Sequence, residues 1–223
     1  MLRPLITLGA ALSLGTLAAC NDSNGNFVHV APTAVVRFVN ATDTPISALV
    51  GGLLDTVNAS LVFGNQSACL LVNLNAAQPI IFTNGLTHVT FTIATSNLFV
   101  GGNFTIIAFA DLNGVIRFAS LVNSFQPATG FAGVRFFNAA PTSGSVAMFG
   151  NNIQLTQPVS LGGNSGFLSL AATPVDLTFR NTSFLVLDAG IMTFLPNQLT
   201  TIILGSPPFP STAPLRFITS VAC

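Results

Sequence analysis

Few side chains in this 223-residue chain can do chemistry. There are three cysteines, two histidines, six arginines and six aspartates, and no lysine, glutamate, tyrosine or tryptophan. Cys20 stands after the small residues Ala18 and Ala19, so its thiol is placed to carry a thioether-linked diacylglyceryl group. His29 and His88 form no pair at metal-ligand spacing, and Cys69 and Cys223 are far apart in sequence, so no metal site is predicted. The aspartates are scattered, which argues against a paired-carboxylate glycosidase site. Gly162-Gly163-Asn164-Ser165-Gly166 lacks the Gly-x-Ser-x-Gly spacing of a nucleophile elbow and reads as a turn between strands. Without lysine there is no phosphate-binding loop. No catalytic residue and no cofactor is predicted.

The elements that would position Cys20 are those of an exported chain. Arg3 gives a short positive n-region, and Leu5 to Ala19 is an apolar stretch too short to span a bilayer as a helix. Residues 1–19 read as a signal peptide and Leu17-Ala18-Ala19-Cys20 as a bacterial lipobox. Residues 20–33 read as the lipidated cysteine and a flexible, polar tether. Asn21, rather than Asp, follows Cys20, which leans toward the outer membrane or cell surface. The membrane, reached through the lipid at Cys20, is thus the first expected partner.

Composition restricts the rest. Half of the residues are hydrophobic and 5% are charged, against about 25% in ordinary soluble domains. Net charge is zero, so nothing attracts nucleic acid. Mean hydropathy is +0.72, but no run beyond residue 20 approaches the roughly 18 apolar residues of a spanning helix.

The body of the chain repeats. Val36-Arg37-Phe38-Val39-Asn40-Ala41 returns as Val134-Arg135-Phe136-Phe137-Asn138-Ala139, and Phe63–Ser67 aligns with Leu161–Ser165. Further on, Asn103–Ile107 aligns with Gln198–Ile202, which sets Phe104 against Leu199; Ile116-Arg117-Phe118 matches Leu215-Arg216-Phe217. Similarity along the whole unit indicates a duplicated domain. The boundary is placed within Gln126–Gly130, giving repeats at 34–127 and 130–223. Runs rich in Val, Ile, Phe and Thr, with Gly, Pro or Asn between many of them, predict about seven strands per repeat. The fold expected is all-β: two tandem Ig-like or transthyretin-like β-sandwiches. In each Arg-Phe pair the Phe is expected in the core and the Arg on the outer face or at a rim.

The repeated opening, Val36–Ala41 and Val134–Pro141, resembles the bacterial family catalogued as domain of unknown function 4397. So does Gly101-Gly102-Asn103-Phe104-Thr105. The resemblance covers about residues 34–223, departing at Thr42-Asp43 where Ala-Pro or Ser-Pro is usual. It implies exported or surface β-domains, often in tandem, and brings no catalytic residues.

These readings converge on a non-enzymatic cell-envelope lipoprotein that binds a protein or glycan ligand or serves structurally. The competing expectation is an envelope-polymer hydrolase using Asp and His88. Cys69 and Cys223 are expected to stay unpaired: Cys69 aligns with Phe167 and is assigned to the core of the first repeat, whereas Cys223 belongs to the last strand of the second.

Overall fold

Short apolar alternations separated by glycine, proline and asparagine build strands here. The computed structural model describes residues 32–49, 60–74, 80–85, 90–93, 97–181, 185–205 and 215–223. The signal segment, Cys20, the tether as far as residue 31 and His88 lie outside the described residues, which contain no α-helix; Thr33, assigned to the tether, already belongs to the first strand. The first repeat carries β1 (Thr33–Asn40), β2 (Ile46–Leu49), β3 (Leu70–Asn73), β4 (Ile80–Asn84), β5 (Thr90–Ile93), β6 (Asn103–Ala110) and β7 (Ile116–Val122). The second carries β8 (Phe131–Ala139), β9 (Val146–Gly150), β10 (Ile153–Gln154), β11 (Asn164–Ala171), β12 (Pro174–Asn181), β13 (Leu185–Thr193), β14 (Leu199–Gly205) and β15 (Arg216–Val221).

The strands form four open sheets. In the first repeat the orders are β3-β1-β6-β7 and β2-β4-β5; in the second they are β11-β8-β14-β15 and β10-β9-β12-β13. Pairing is antiparallel except between β1 and β6 and between β8 and β14. The Asp111–Gly114 turn closes the β6–β7 hairpin, with Asp111 N–H donating to Val115 O and Gly114 at φ +75°.

Each pair of sheets encloses a core. Val36, Phe38, Phe82, Phe104 and Ile106 fill the first; Val134, Phe136, Met148, Leu177, Phe179 and Ile202 fill the second. The chain is therefore two β-sandwiches. A third apolar layer joins them: Val39, Ile107, Phe109 and Leu121 with Phe137, Ile203 and Ile218. Each of these is on the far side of its sheet from its own core, by strand alternation. The β3-β1-β6-β7 and β11-β8-β14-β15 sheets thus meet back to back, with Phe109 edge-on to Phe137 at 5.6 Å.

Register corrects one alignment. Val36 pairs with Phe104, and its counterpart Val134 pairs with Thr200 rather than Leu199. Phe104 therefore matches Thr200. Leu199 lies over Gly133, where a Cβ would come within 2.4 Å of its Cδ2.

Candidate functional site

The two arginines of the repeated motif are equivalent and reach across the junction reciprocally. Arg135, on β8, is 3% exposed. Its Nε donates to Thr201 Oγ1 (2.9 Å) within its own sheet. Its Nη1 donates to Val122 O (2.8 Å) and its Nη2 to Asn123 Oδ1, both at the end of β7 in the other sandwich. Arg37, on β1, donates to Val221 O at the end of β15 and to Cys69 Sγ (3.0 Å). Burial lowers the Arg135 pKa to about 10, so the side chain remains a cation at neutral pH.

Beside each arginine stands a second cross-link. Cys69 and Cys223 form a disulfide, with Cα atoms 5.8 Å apart. At the counterpart place Phe125 stacks on Phe167 (5.4 Å, 16°), and Arg135 Cζ lies 4.5 Å from the Phe167 ring centroid. The expectation of unpaired cysteines is thus overturned. The match of Cys69 with Phe167 holds in register, since Leu70 pairs with Val36 as Leu168 pairs with Val134. The assigned face does not: Cys69 is exposed while Leu70 is buried. Ala222 N still donates to Leu199 O of β14 (2.8 Å), and the next residue, Cys223, bonds to Cys69 on the first sandwich. The Arg-Phe pairs fit expectation in part. Arg37 and Arg135 do lie on the outer faces of their sheets, opposite Phe38 and Phe136, but those faces meet at the junction and Arg135 is buried there; Phe217, expected in the core, is 37% exposed on the edge strand β15.

The rest of the motif has structural work. Asn138 is fully buried; its Nδ2 donates to Gly144 O (2.8 Å) and Val159 O (3.0 Å), and its Oδ1 accepts from Ala140 N (3.1 Å) and Ser143 Oγ (3.2 Å). Asn40 does the same with Thr44 O, Leu61 O and Thr42. These amides satisfy the backbone of the loop after the opening strand. Sequence reasoning assigned them no role, although their recurrence in both motifs was the available signal. Ser165 Oγ accepts from Phe136 N (2.9 Å) and Ser67 Oγ from Phe38 N (3.0 Å). Ser165 is therefore a backbone partner at the bulge between Asn164 and Phe167; the turn is at Leu161–Gly162, and Asn164-Ser165-Gly166 belong to β11.

A groove of about 820 Å³ opens along the side of the second sandwich, between the edge strands β10 and β11. Leu155, Val159 and Leu168 belong to the apolar core behind it, while Gln154, Gln157, Ser160 and Asn164 bring amides and a hydroxyl to it. No carboxylate, imidazole or cation lines it. Thr156 and Ser165 are occupied within the protein, whereas the Gln157 and Ser160 side chains make no hydrogen bond there. Such a groove suits an uncharged ligand bearing hydroxyl or amide groups.

Among the described residues no three His, Cys, Asp or Glu side chains are gathered. The one ion pair among them, Arg117 to Asp111 at 3.0 Å, belongs to the β6–β7 hairpin. Desolvation would raise the Asp111 pKa. Hydrogen bonds from Val115 N and Asn113 N, together with Arg117, outweigh it and hold the carboxyl below its ordinary value.

No family model matches the chain, and no curated protein does. Among solved structures, the C-terminal domain of AlgF from P. aeruginosa is similar to part of it. The identity is 15% and the TM-score 0.34, over 41% of this chain and 98% of that one.

Proposed function

We propose that this protein is an exported lipoprotein of the cell envelope, anchored through Cys20, that acts without catalysis as a binding or structural module. The outer membrane or cell surface is the favoured location, and the repeats belong with the family of domain of unknown function 4397. The observation that carries the proposal is the Cys69–Cys223 disulfide, 154 residues apart in sequence and joining one sandwich to the other. Disulfides of this kind persist in oxidising compartments and are rare in the cytosol, which supports export independently of the N-terminal pattern. The neutral groove beside β11 supports binding of an uncharged glycan or peptide segment. Intact-mass analysis of the membrane fraction tests the anchor: loss of residues 1–19 plus diacylglyceryl mass on Cys20 is expected. An unmodified mature chain in the soluble fraction would overturn it.

A further inference from the structure

The links between the sandwiches join equal levels of their strands. Arg37 and Arg135 each reach the last residue of the partner sandwich's final strand, Val221 and Val122. At the other ends, a Cβ at Gly162 would lie 2.9 Å from the Phe109 ring, and one at Gly205 would lie 2.9 Å from Phe63. The facing sheets therefore run in the same sense, and equivalent loops of the two repeats emerge at one end.

At that end are the starts of β1, β6, β8 and β14 and the loops before them. The loop before β6 is tied to Thr33, with Gly101 N donating to Thr33 O; the loop before β14 is tied to Phe131, with Asn197 N donating to Phe131 O. Both present apolar side chains to solvent: Phe99 (51% exposed) and Val100 (66%) from the first, Leu195 (60%) and Pro196 from the second. Phe131 and Val122 add to them. No Asp or Arg occurs among the described residues of these loops, 97–102, 123–130 and 194–198. Asp43, Asp111, Arg117 and Arg216 stand at the opposite end, beyond β1 and around the β6–β7 and β14–β15 connections, whereas exposed Asp176 lies on the outer sheet near the start of β12, set back from the β11–β12 link.

The chain enters the described body at this end, at Pro32, beside the charge-free apolar loops. Eleven residues lie between Cys20 and Pro32, a reach of at most about 40 Å when extended. We propose that this end is a membrane-seating surface: with the chain anchored at Cys20, Phe99, Val100 and Leu195 dip into the lipid interface. They fix the double sandwich upright, with the charged end outward. Exposed apolar loops without charge suit the headgroup–acyl boundary, and a second weak contact turns a tether into an oriented attachment. The inference rests on lipidation at Cys20.

The absence of tryptophan makes the test direct. Phe99→Trp, Leu195→Trp and, at the opposite end, Leu112→Trp are each prepared as full-length acylated protein. Each is reconstituted into phosphatidylcholine vesicles with plain or brominated chains. Retention of the Cys69–Cys223 disulfide on non-reducing gels reports folding. Expected is a blue shift and loss of emission in brominated vesicles for Phe99→Trp and Leu195→Trp, with Leu112→Trp unaffected. Emission from acylated Phe99→Trp that is as unquenched as that of Leu112→Trp overturns the seating alone. A blue shift that follows protein density but not bromination also overturns it, assigning the surface to contacts between copies. An unacylated chain overturns the anchor, and the seating with it.

Discussion

Arg135 brings a full charge between two sheets, and three neutral oxygens hold it there. Two of those oxygens belong to the other sandwich; removing the guanidinium takes its donors from Thr201 Oγ1 and Val122 O, while Asn123 Oδ1 keeps only the long bond from Thr105 Oγ1 (3.3 Å). Arg135→Ala is expected to lower unfolding stability by about 3 kcal/mol in urea titrations. Arg135→Lys should recover little, because an ammonium cannot reproduce the planar fork. Arg37 is only half-buried, and its Nε has no partner; Arg37→Ala should cost about 1 kcal/mol. Equal losses at the two sites would contradict the asymmetry in burial. Asn138 presents a second case at this scale. It makes four buried hydrogen bonds from one side chain, and Asn138→Ala should cost about 3 kcal/mol. Asn138→Asp should do no better, because it loses the donors and buries a carboxylate. An Asn138→Asp variant as stable as the parent would show that the loop 140–145 is held by other means.

At the scale of strands, short runs rich in Val, Ile, Phe and Thr made elements legible. Stretches of this kind at 34–41, 104–110 and 115–122 coincide with β1, β6 and β7 to within a residue or so. What alternation conveys poorly is register across a deletion. Matching Phe104 with Leu199 instead of Thr200 is a slip of one residue, and one residue exchanges the two faces of a strand. Apolar identity favoured Leu199, yet the parallel ladder beside β8 turns Thr200 to the core, with Ile202 and Leu204. Its Oγ1 is buried without a hydrogen-bond partner, at the place where the first repeat uses Phe104. Thr200→Val keeps the shape and removes the orphan hydroxyl, so it should raise stability by about 1 kcal/mol in urea unfolding. A decrease would mean that the hydroxyl has a use in the second core that Phe104 does not serve in the first.

For the whole molecule, the arrangement of the sandwiches decided what the sequence could not. The duplicated motif pointed to two cores, with Cys69 in the first and Cys223 on the last strand of the second repeat. That assignment presumed that a sheet has one buried face. Here β6, β8 and β14 are buried on both, as their nearly continuous apolar runs allow, and β1 is so at its end. The outer faces meet, and Cys69 and Cys223 lie where that junction ends. The candidate groove was even less legible, because its lining is ordinary Gln, Ser and Leu brought together only by the open edges β10 and β11. The disulfide closes a loop across 154 residues, and chain-entropy reasoning sets its stabilisation near 5 kcal/mol. The junction has other ties: the Val39–Ile203 apolar layer, the Phe109–Phe137 contact and the Arg135 hydrogen bonds. Cys69→Ser/Cys223→Ser is therefore expected to fold, with a markedly lower unfolding midpoint. Because the Phe125–Phe167 stack remains at the counterpart place, loosening should be confined to the Cys223 side. Amide exchange should accelerate in β3 and β15, and stay slow in β8 and β11. Exchange that quickens equally in β8 and β11 would mean that the two cross-links act as one and that the disulfide holds the entire junction.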